Sequence, residues 1–336
     1  MMNNRSFQFE FLPNEILIIL FEYFDIRDLY RLFFNINTRF NNLLLSLKHL
    51  SLTISNSNQT LNEYDKILIS YINKLIIQNK INIDFTCFSH IHSLILLHPT
   101  FQQIKQLNKD ILPCLKYLAI RNMHLLSSND LPAIFDKIFS NDCSYLQYCY
   151  LSNMTTISRR REWIQMTSLR FLEVGHINLF VYKYILSLCP NLYSFKFIIS
   201  TETEIPSDIK SHLNIKRLTL KNDFFGHSWN DHVIKSYLSY VPNLEQLCMY
   251  RHIFSSSVKN CLMNYDWCAS LIGSYLPSLR RFSFYLHLID LNYVDIDNIL
   301  FQLVENFRSH RNTRCQSCFV IQRSQMQKLL SPKFLM

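Results

Sequence analysis

Arg314-Cys315-Gln316-Ser317-Cys318 holds the only CxxC of this chain, and His310 stands five residues before Cys315. Thiolates and an imidazole are ligand types for zinc, but a zinc site takes four ligands at recognisable spacing, and no second pair lies nearby. A redox CxxC belongs in a thioredoxin-like context, which is missing here. Both cysteines therefore read as incidental thiols. The 12 histidines include no helical HxxxH with a glutamate between. His90 and His92 flank an apolar run and read as half-exposed sheet positions. Asp295 and Asp297 are close enough for paired-carboxylate chemistry, yet a helix start accounts for them. Gly175, Gly226 and Gly273 are the only glycines, so neither a dinucleotide fingerprint nor a P-loop can be built. Trp163, Trp229 and Trp267 read as core or surface anchors. No catalytic residue, metal or cofactor is expected.

Charge narrows the partners. A formal net charge of +9 raises nucleic acid or an acidic membrane surface as candidates. Arg159-Arg160-Arg161 is the one tight basic run, and Arg308 to Arg323 is a looser one. Solvated faces account for both, so neither nucleic acid nor membrane is expected as a partner. Hydrophobic residues make up 49% and charged residues 18% of the chain, which is globular composition. The ten cysteines stand mostly singly, many inside apolar runs, as Cys149 in YLQYCYL and Cys248 in QLCMY. Such positions suit buried reduced thiols, and a reducing compartment follows, cytoplasm or nucleus. The apolar run Ile16–Phe21 is bounded by Glu15 and Glu22, unlike a signal peptide. No uncharged stretch approaches the roughly 18–20 residues that span a bilayer.

The first segment, residues 8–48, reads as three short helices. Pro13 suits a first helical turn. Ile16, Leu17, Leu20, Phe21 and Phe24 recur at helical spacing. Asp25 is placed to cap the second helix, with Asp28 favourable at its third position and Leu29, Leu32 and Phe33 as its apolar stripe. Thr38 is placed to cap the third, whose inner side is Phe40, Leu43, Leu44 and Leu47. Three helices in about 40 residues bury little surface, so the unit leans on a neighbour or a partner.

From residue 47 to 336 a different pattern runs. Nine segments have the form LxxLxL, led by Leu47, Ile91, Leu115, Leu146, Leu169, Leu192, Ile215, Leu244 and Leu279. The leads 146, 169, 192 and 215 are spaced by 23 residues. Alternating apolar residues face one side of a strand, and Pro113, Pro190, Pro242 and Pro277 stop what precedes it. Phe180–Leu188, Asp231–Tyr240 and Asp266–Leu276 read as helices between strands. The period is that of leucine-rich repeats. The expected fold is α/β: three N-terminal helices over 8–48, then an irregular leucine-rich-repeat solenoid over 49–336, with a parallel concave sheet. Asn122, Asn153 and Asn222 follow their strands by two residues where the regular pattern has three. Thr53–Glu63 reads as a polar loop, 61–79 as an amphipathic helix, Asp295–Phe307 as a last helix, and the basic tail as a cap.

Leu12-Pro13-Asn14-Glu15-Ile16-Leu17, Leu20-Phe21, Tyr23-Phe24-Asp25, Asp28-Leu29, Leu32 and Arg39-Phe40 together resemble an F-box, over about 40 of the 336 residues. The family has Val-Cys or Val-Ser before its basic closing segment, where this chain has Asn35-Ile36-Asn37-Thr38. The resemblance implies a unit that docks on a Skp-type adaptor and through it on a cullin-RING ubiquitin ligase, with the repeats holding the target protein. Ubiquitin transfer would belong to other subunits. Leu12, Pro13, Ile16, Leu17, Leu20, Phe21, Leu29 and Leu32 are then the adaptor-facing candidates, shared with the unit's own core. Changing Leu17 and Leu20 together to Asp should break the complex and spare the repeats. Lys116, Tyr117, Gln147, Arg170, Lys216, Arg217, Glu245, Arg280 and Arg281 would specify the concave face. They hint at an acidic target. The alternative is a repeat scaffold without ligase association, whose N-terminal helices merely cap it.

Overall fold

The computed structural model describes residues 9–47, 50–55, 69–122, 131–140, 143, 145–151, 163–200, 211–222, 231–254, 274–289 and 316–324. The chain divides into two compact units, Met1–Leu146 and Gln147–Met336. Both are α/β with open, parallel sheets whose strands follow chain order.

The first unit starts with three helices, α1 (Asn14–Phe21), α2 (Ile26–Phe33) and α3 (Thr38–Ser46). Strands β1 (Leu50–Ile54), β2 (Ile72–Ile77), β3 (Ser93–Leu96) and β4 (Tyr117–Ile120) follow. Among its described residues two further helices follow, α4 (Phe101–Lys105) and α5 (Leu131–Ile138), packed on each other. Within the first unit α2 packs on β1. Asp25 makes that join. One carboxylate oxygen caps α2 by accepting from the Arg27 N–H at 3.0 Å, and the other accepts from the Thr53 N–H at 2.5 Å. The cap of α3 is Asn37, whose Oδ1 accepts from the Phe40 N–H at 2.9 Å, and not Thr38, which is already helical.

The amphipathic helix expected over 61–79 is replaced in its described part by a short turn, Ile69–Tyr71, and by β2. Ile72-Asn73-Lys74-Leu75-Ile76-Ile77 is itself a tenth LxxLxL, 25 residues after Leu47 and 19 before Ile91. Its β-branched residues favour strand. Thr53 and Ile54 finish β1 rather than open a loop.

The second unit contains β5 (Tyr148–Leu151), β6 (Phe171–Ile177), α6 (Leu179–Leu188), β7 (Ser194–Ile199), β8 (Arg217–Asn222), α7 (Asp231–Leu238), β9 (Gln246–Phe254), β10 (Arg281–Ile289) and β11 (Gln316–Ser324). The basic tail thus includes a strand rather than serving only as a cap, with Phe284 in register with Phe319. Asp295–Phe307, Trp229, Trp267, Arg159–Arg161, His310, Cys315 and nearly all of Asp266–Leu276 lie outside the described residues.

Every first, fourth and sixth residue of the nine LxxLxL segments is buried, from Leu47, Leu50 and Leu52 to Leu279, Phe282 and Phe284. Registers keep like on like: Phe195, Leu218, Leu247 and Phe282 align across β7–β10, as do Phe197, Leu220, Met249 and Phe284. The approach to each strand is also repeated. Two successive N–H groups donate to one carbonyl of the preceding segment: Arg170 and Phe171 to Gln147, Lys216 and Arg217 to Tyr193, Arg280 and Arg281 to Glu245. An asparagine ladder lies just before the leads. The Nδ2 groups of Asn191, Asn214 and Asn243 donate to the carbonyls of Thr167, Pro190 and Leu213 at 2.9, 2.8 and 3.2 Å. Pro190-Asn191-Leu192 and Pro242-Asn243-Leu244 carry its signal in sequence.

Behind the sheet of the second unit, α6 and α7 pack on each other. Asn178 caps α6 by accepting from the Val181 N–H at 2.9 Å. Below them His212 is buried. Its Nδ1 accepts from the Ile215 N–H at 3.2 Å, so the ring proton sits on Nε2 and donates to the Cys189 carbonyl at 2.9 Å. Burial lowers its pKa below 6.5. The folded chain therefore resists a proton that the unfolded chain accepts. Stability is full above about pH 6.5 and falls as pH drops below it; one proton limits the slope to about 1.4 kcal/mol per pH unit. Thermal melts of the wild type and His212→Gln between pH 7.5 and 5.5 check this. The variant is expected to melt lower at neutral pH but with a shallower loss in acid.

Candidate functional site

The N-terminal helices hold most of the residues that the sequence singled out. Their core is aromatic. Phe21, Phe33 and Phe40 meet with ring centroids 4.8, 5.8 and 6.2 Å apart, and Phe9 stacks on Phe33 at 5.5 Å. Around them Leu17, Ile26, Leu29, Leu43 and Leu44 are buried. Leu17, Phe21 and Leu29, expected to share the adaptor-facing set, are thus core residues. They turn toward α3 and β1 because those elements supply the apolar cover.

The other five candidates divide. Leu12 and Leu20 are half-buried, whereas Pro13, Ile16 and Leu32 are exposed. In the apolar stripe of α2, Leu32 is exposed, whereas Leu29 is buried together with Ile26. Residues three and four apart share a helix face, so Ile16, Ile19 and Leu20 form one side of α1. Ile19 is 52% exposed, Tyr23 84% and Phe11 80%. None of these three is among the adaptor-facing candidates that the sequence suggests. Ile19 was legible as three residues from Ile16, on the side away from Phe21.

Arg39 accounts for the conjunction of Leu12-Pro13 with Arg39-Phe40. Its Nε donates to Asn14 Oδ1 at 2.8 Å, and its two terminal nitrogens donate to the carbonyls of Leu12, at 2.6 Å, and Glu10. One guanidinium fork thus fixes the turn that leads into α1, while Phe40 fills the core beside it. Arg39→Ala is expected to cost about 2 kcal/mol in urea unfolding, and Arg39→Lys to recover only part of it. A single ammonium cannot reproduce the planar fork.

No protein-family model and no curated protein matches this chain. What the surface can do must therefore be judged from its chemistry. Among the described residues no cluster of His, Cys, Asp or Glu could hold a metal ion, and no helix is long and apolar enough to cross a membrane. The exposed face of α1 presents Ile16 and Ile19, bordered by the exposed carboxylates of Glu15 and Glu22. Such a face can bury itself against another protein.

The open face of the second unit's sheet is chemically different. Lys196 pairs with Glu173 at 2.7 Å and Lys216 with Glu245 at 3.3 Å. Burial, and then the charge of Lys196, hold the Lys221 ammonium below its usual pKa. Tyr250 stacks on Tyr285 at 4.5 Å, and His252 lies 5.1 Å from His287. Of the residues expected to specify this face, Arg170, Arg217, Arg280 and Arg281 are exposed, and Lys216 and Glu245 are half-buried. In the first unit, Lys116 just before β4 is exposed, and Tyr117, the first residue of β4, is half-buried.

Proposed function

We propose that this chain is a protein-interaction subunit of a cullin-RING ubiquitin ligase. Its N-terminal helices act as an F-box that docks on a Skp-type adaptor, and its second unit, a set of leucine-rich repeats, holds the target protein. The observation that carries the proposal is the exposed apolar face of α1, Pro13, Ile16 and Ile19 with half-buried Leu20, beside a turn clamped by Arg39. A small unit with a complete aromatic core of its own has no internal use for that second apolar face. Apolar residues at helical spacing are how a helix offers itself to a groove. The chain would bring no catalytic group and no cofactor, and its place would be the cytoplasm or nucleus.

Co-expression of the full chain with a Skp-type adaptor tests the proposal. A complex that survives size-exclusion chromatography at micromolar concentration is expected; separate elution of the two proteins would sink the reading. The packing of α2 on β1 supports a second reading, in which the helices only cap the sheet of the first unit as part of a binding scaffold. Separate elution together with retained binding of a target protein would favour it.

A further inference from the structure

One row of the second unit's sheet joins an aromatic shelf to a line of arginines. Phe171, Ser194, Arg217, Gln246 and Arg281 are in register across β6–β10, and Tyr148 on β5 pairs with Phe171. Tyr148 and Phe171 stack at 4.5 Å. Tyr193, one residue before the row, lies 5.8 Å from Phe171 and carries the Arg217 guanidinium 5.4 Å from its ring centroid. Arg217, Arg280 and Arg281 are exposed, and among the described residues none of them has a carboxylate partner. Glu173 and Glu245 are each held by a lysine. The row is therefore apolar and flat at one end and cationic at the other.

We infer that this row binds an extended acidic peptide segment of the target protein, an apolar or aromatic side chain lying on the Phe171–Tyr193 shelf and carboxylates meeting Arg217 and Arg281. The spacing follows from sheet geometry. Neighbouring strands lie about 4.8 Å apart, and a peptide in the extended polyproline II conformation advances about 3.1 Å per residue with every third side chain on the same side. Arg217 and Arg281, two strands apart, are thus about 10 Å or three residues of peptide from each other, and the shelf is about as far on the other side of Arg217. The segment reads apolar, acidic about three residues on, acidic again about three residues later. Paired guanidinium–carboxylate bonds are among the stronger polar contacts. A nucleic-acid strand fits less well, because Lys196 and Lys216 on this face are already paired with Glu173 and Glu245 and leave few unpaired cations for an unbroken run of phosphates.

The inference rests on the second unit being the target-holding part, and its test is separable from that of the adaptor. A labelled peptide of about eight residues, with one phenylalanine and glutamates at the third and sixth positions after it, is titrated with the full chain and followed by fluorescence anisotropy. Binding is expected to weaken as salt rises from about 50 to about 300 mM. Arg217→Glu with Arg281→Glu is expected to weaken it at least about tenfold, and Phe171→Ala about fivefold. All these side chains are at least partly exposed, so unchanged melting temperatures confirm the fold. No binding of this peptide, equal binding of its glutamine version, tighter binding of a single-stranded oligothymidylate of similar length, or no effect of the arginine changes would each overturn the inference. The arginine variant is expected to keep the adaptor complex. An adaptor complex without peptide binding removes this inference alone; peptide binding without an adaptor complex removes the ligase reading alone.

Discussion

Ile16→Asp with Ile19→Asp is expected to abolish adaptor binding while leaving the melting temperature within a few degrees of wild type. Both side chains are roughly half exposed, at 44% and 52%, so a carboxylate at either position stays hydrated in the free chain. In a complex each would be dehydrated against an apolar groove. Burying one such side chain is worth roughly 1.5–3 kcal/mol, so losing both weakens binding by about a hundredfold or more. Isothermal titration with purified adaptor measures this. Unchanged affinity would show that the α1 face is not the docking surface. The pair that the sequence suggested, Leu17→Asp with Leu20→Asp, cannot separate the two effects. Leu17 is fully buried, and an unpaired carboxylate there would disrupt the helical core whether or not an adaptor binds.

The largest effect on stability is expected at Tyr182 on α6. Its ring is fully buried, 4.9 Å from Tyr237, 5.2 Å from Phe197 and 5.6 Å from Phe195. Its hydroxyl donates to the Tyr237 carbonyl at 3.1 Å, and the Tyr237 hydroxyl donates to the Ile177 carbonyl at 3.3 Å. Burial raises both phenol pKa values well above the usual range, so both hydroxyls remain donors. Tyr182→Ala removes the ring and leaves a cavity among three aromatics, costing about 4 kcal/mol. Tyr182→Phe keeps the packing and loses one hydrogen bond, costing about 1 kcal/mol. Urea unfolding of both variants separates the contributions. Equal losses would mean that the hydroxyl and not the ring packing holds α6 to the sheet.

The repeated strands were legible because their signal is local. In LxxLxL the fourth and sixth residues point the same way from any extended backbone, so Leu94 and Leu96, or Phe195 and Phe197, identify their strand without knowledge of its neighbours. Asp25 as a cap was legible for the same reason: its partner, the Arg27 N–H, is two residues away. The run from Ile72 to Ile77 misled because short apolar runs satisfy helix and strand periods alike. There pairing with β1 and β3 decided for strand. The strand at Gln316–Ser324 was hidden in a basic tail, and pairing with β10 again decided it.

The functional face was less legible. Leu12 to Leu32 is apolar on more than one side of each helix, and spacing alone cannot say which side is covered. Phe33, Phe40 and β1 lie up to dozens of residues away in sequence, and their placement put Leu17, Phe21 and Leu29 inside and Ile16, Ile19 and Leu32 outside. Arg39 likewise read as part of a motif, and only the fold brought it to the carbonyls of Glu10 and Leu12. By itself the sequence determined the inward residues of the nine repeated strands and the Asp25 cap, because backbone periodicity and capping act over a few residues. The tertiary structure alone decided which apolar residues remain available to a partner and which arginines share a row with an aromatic shelf, because burial and register depend on elements that meet only when the chain folds.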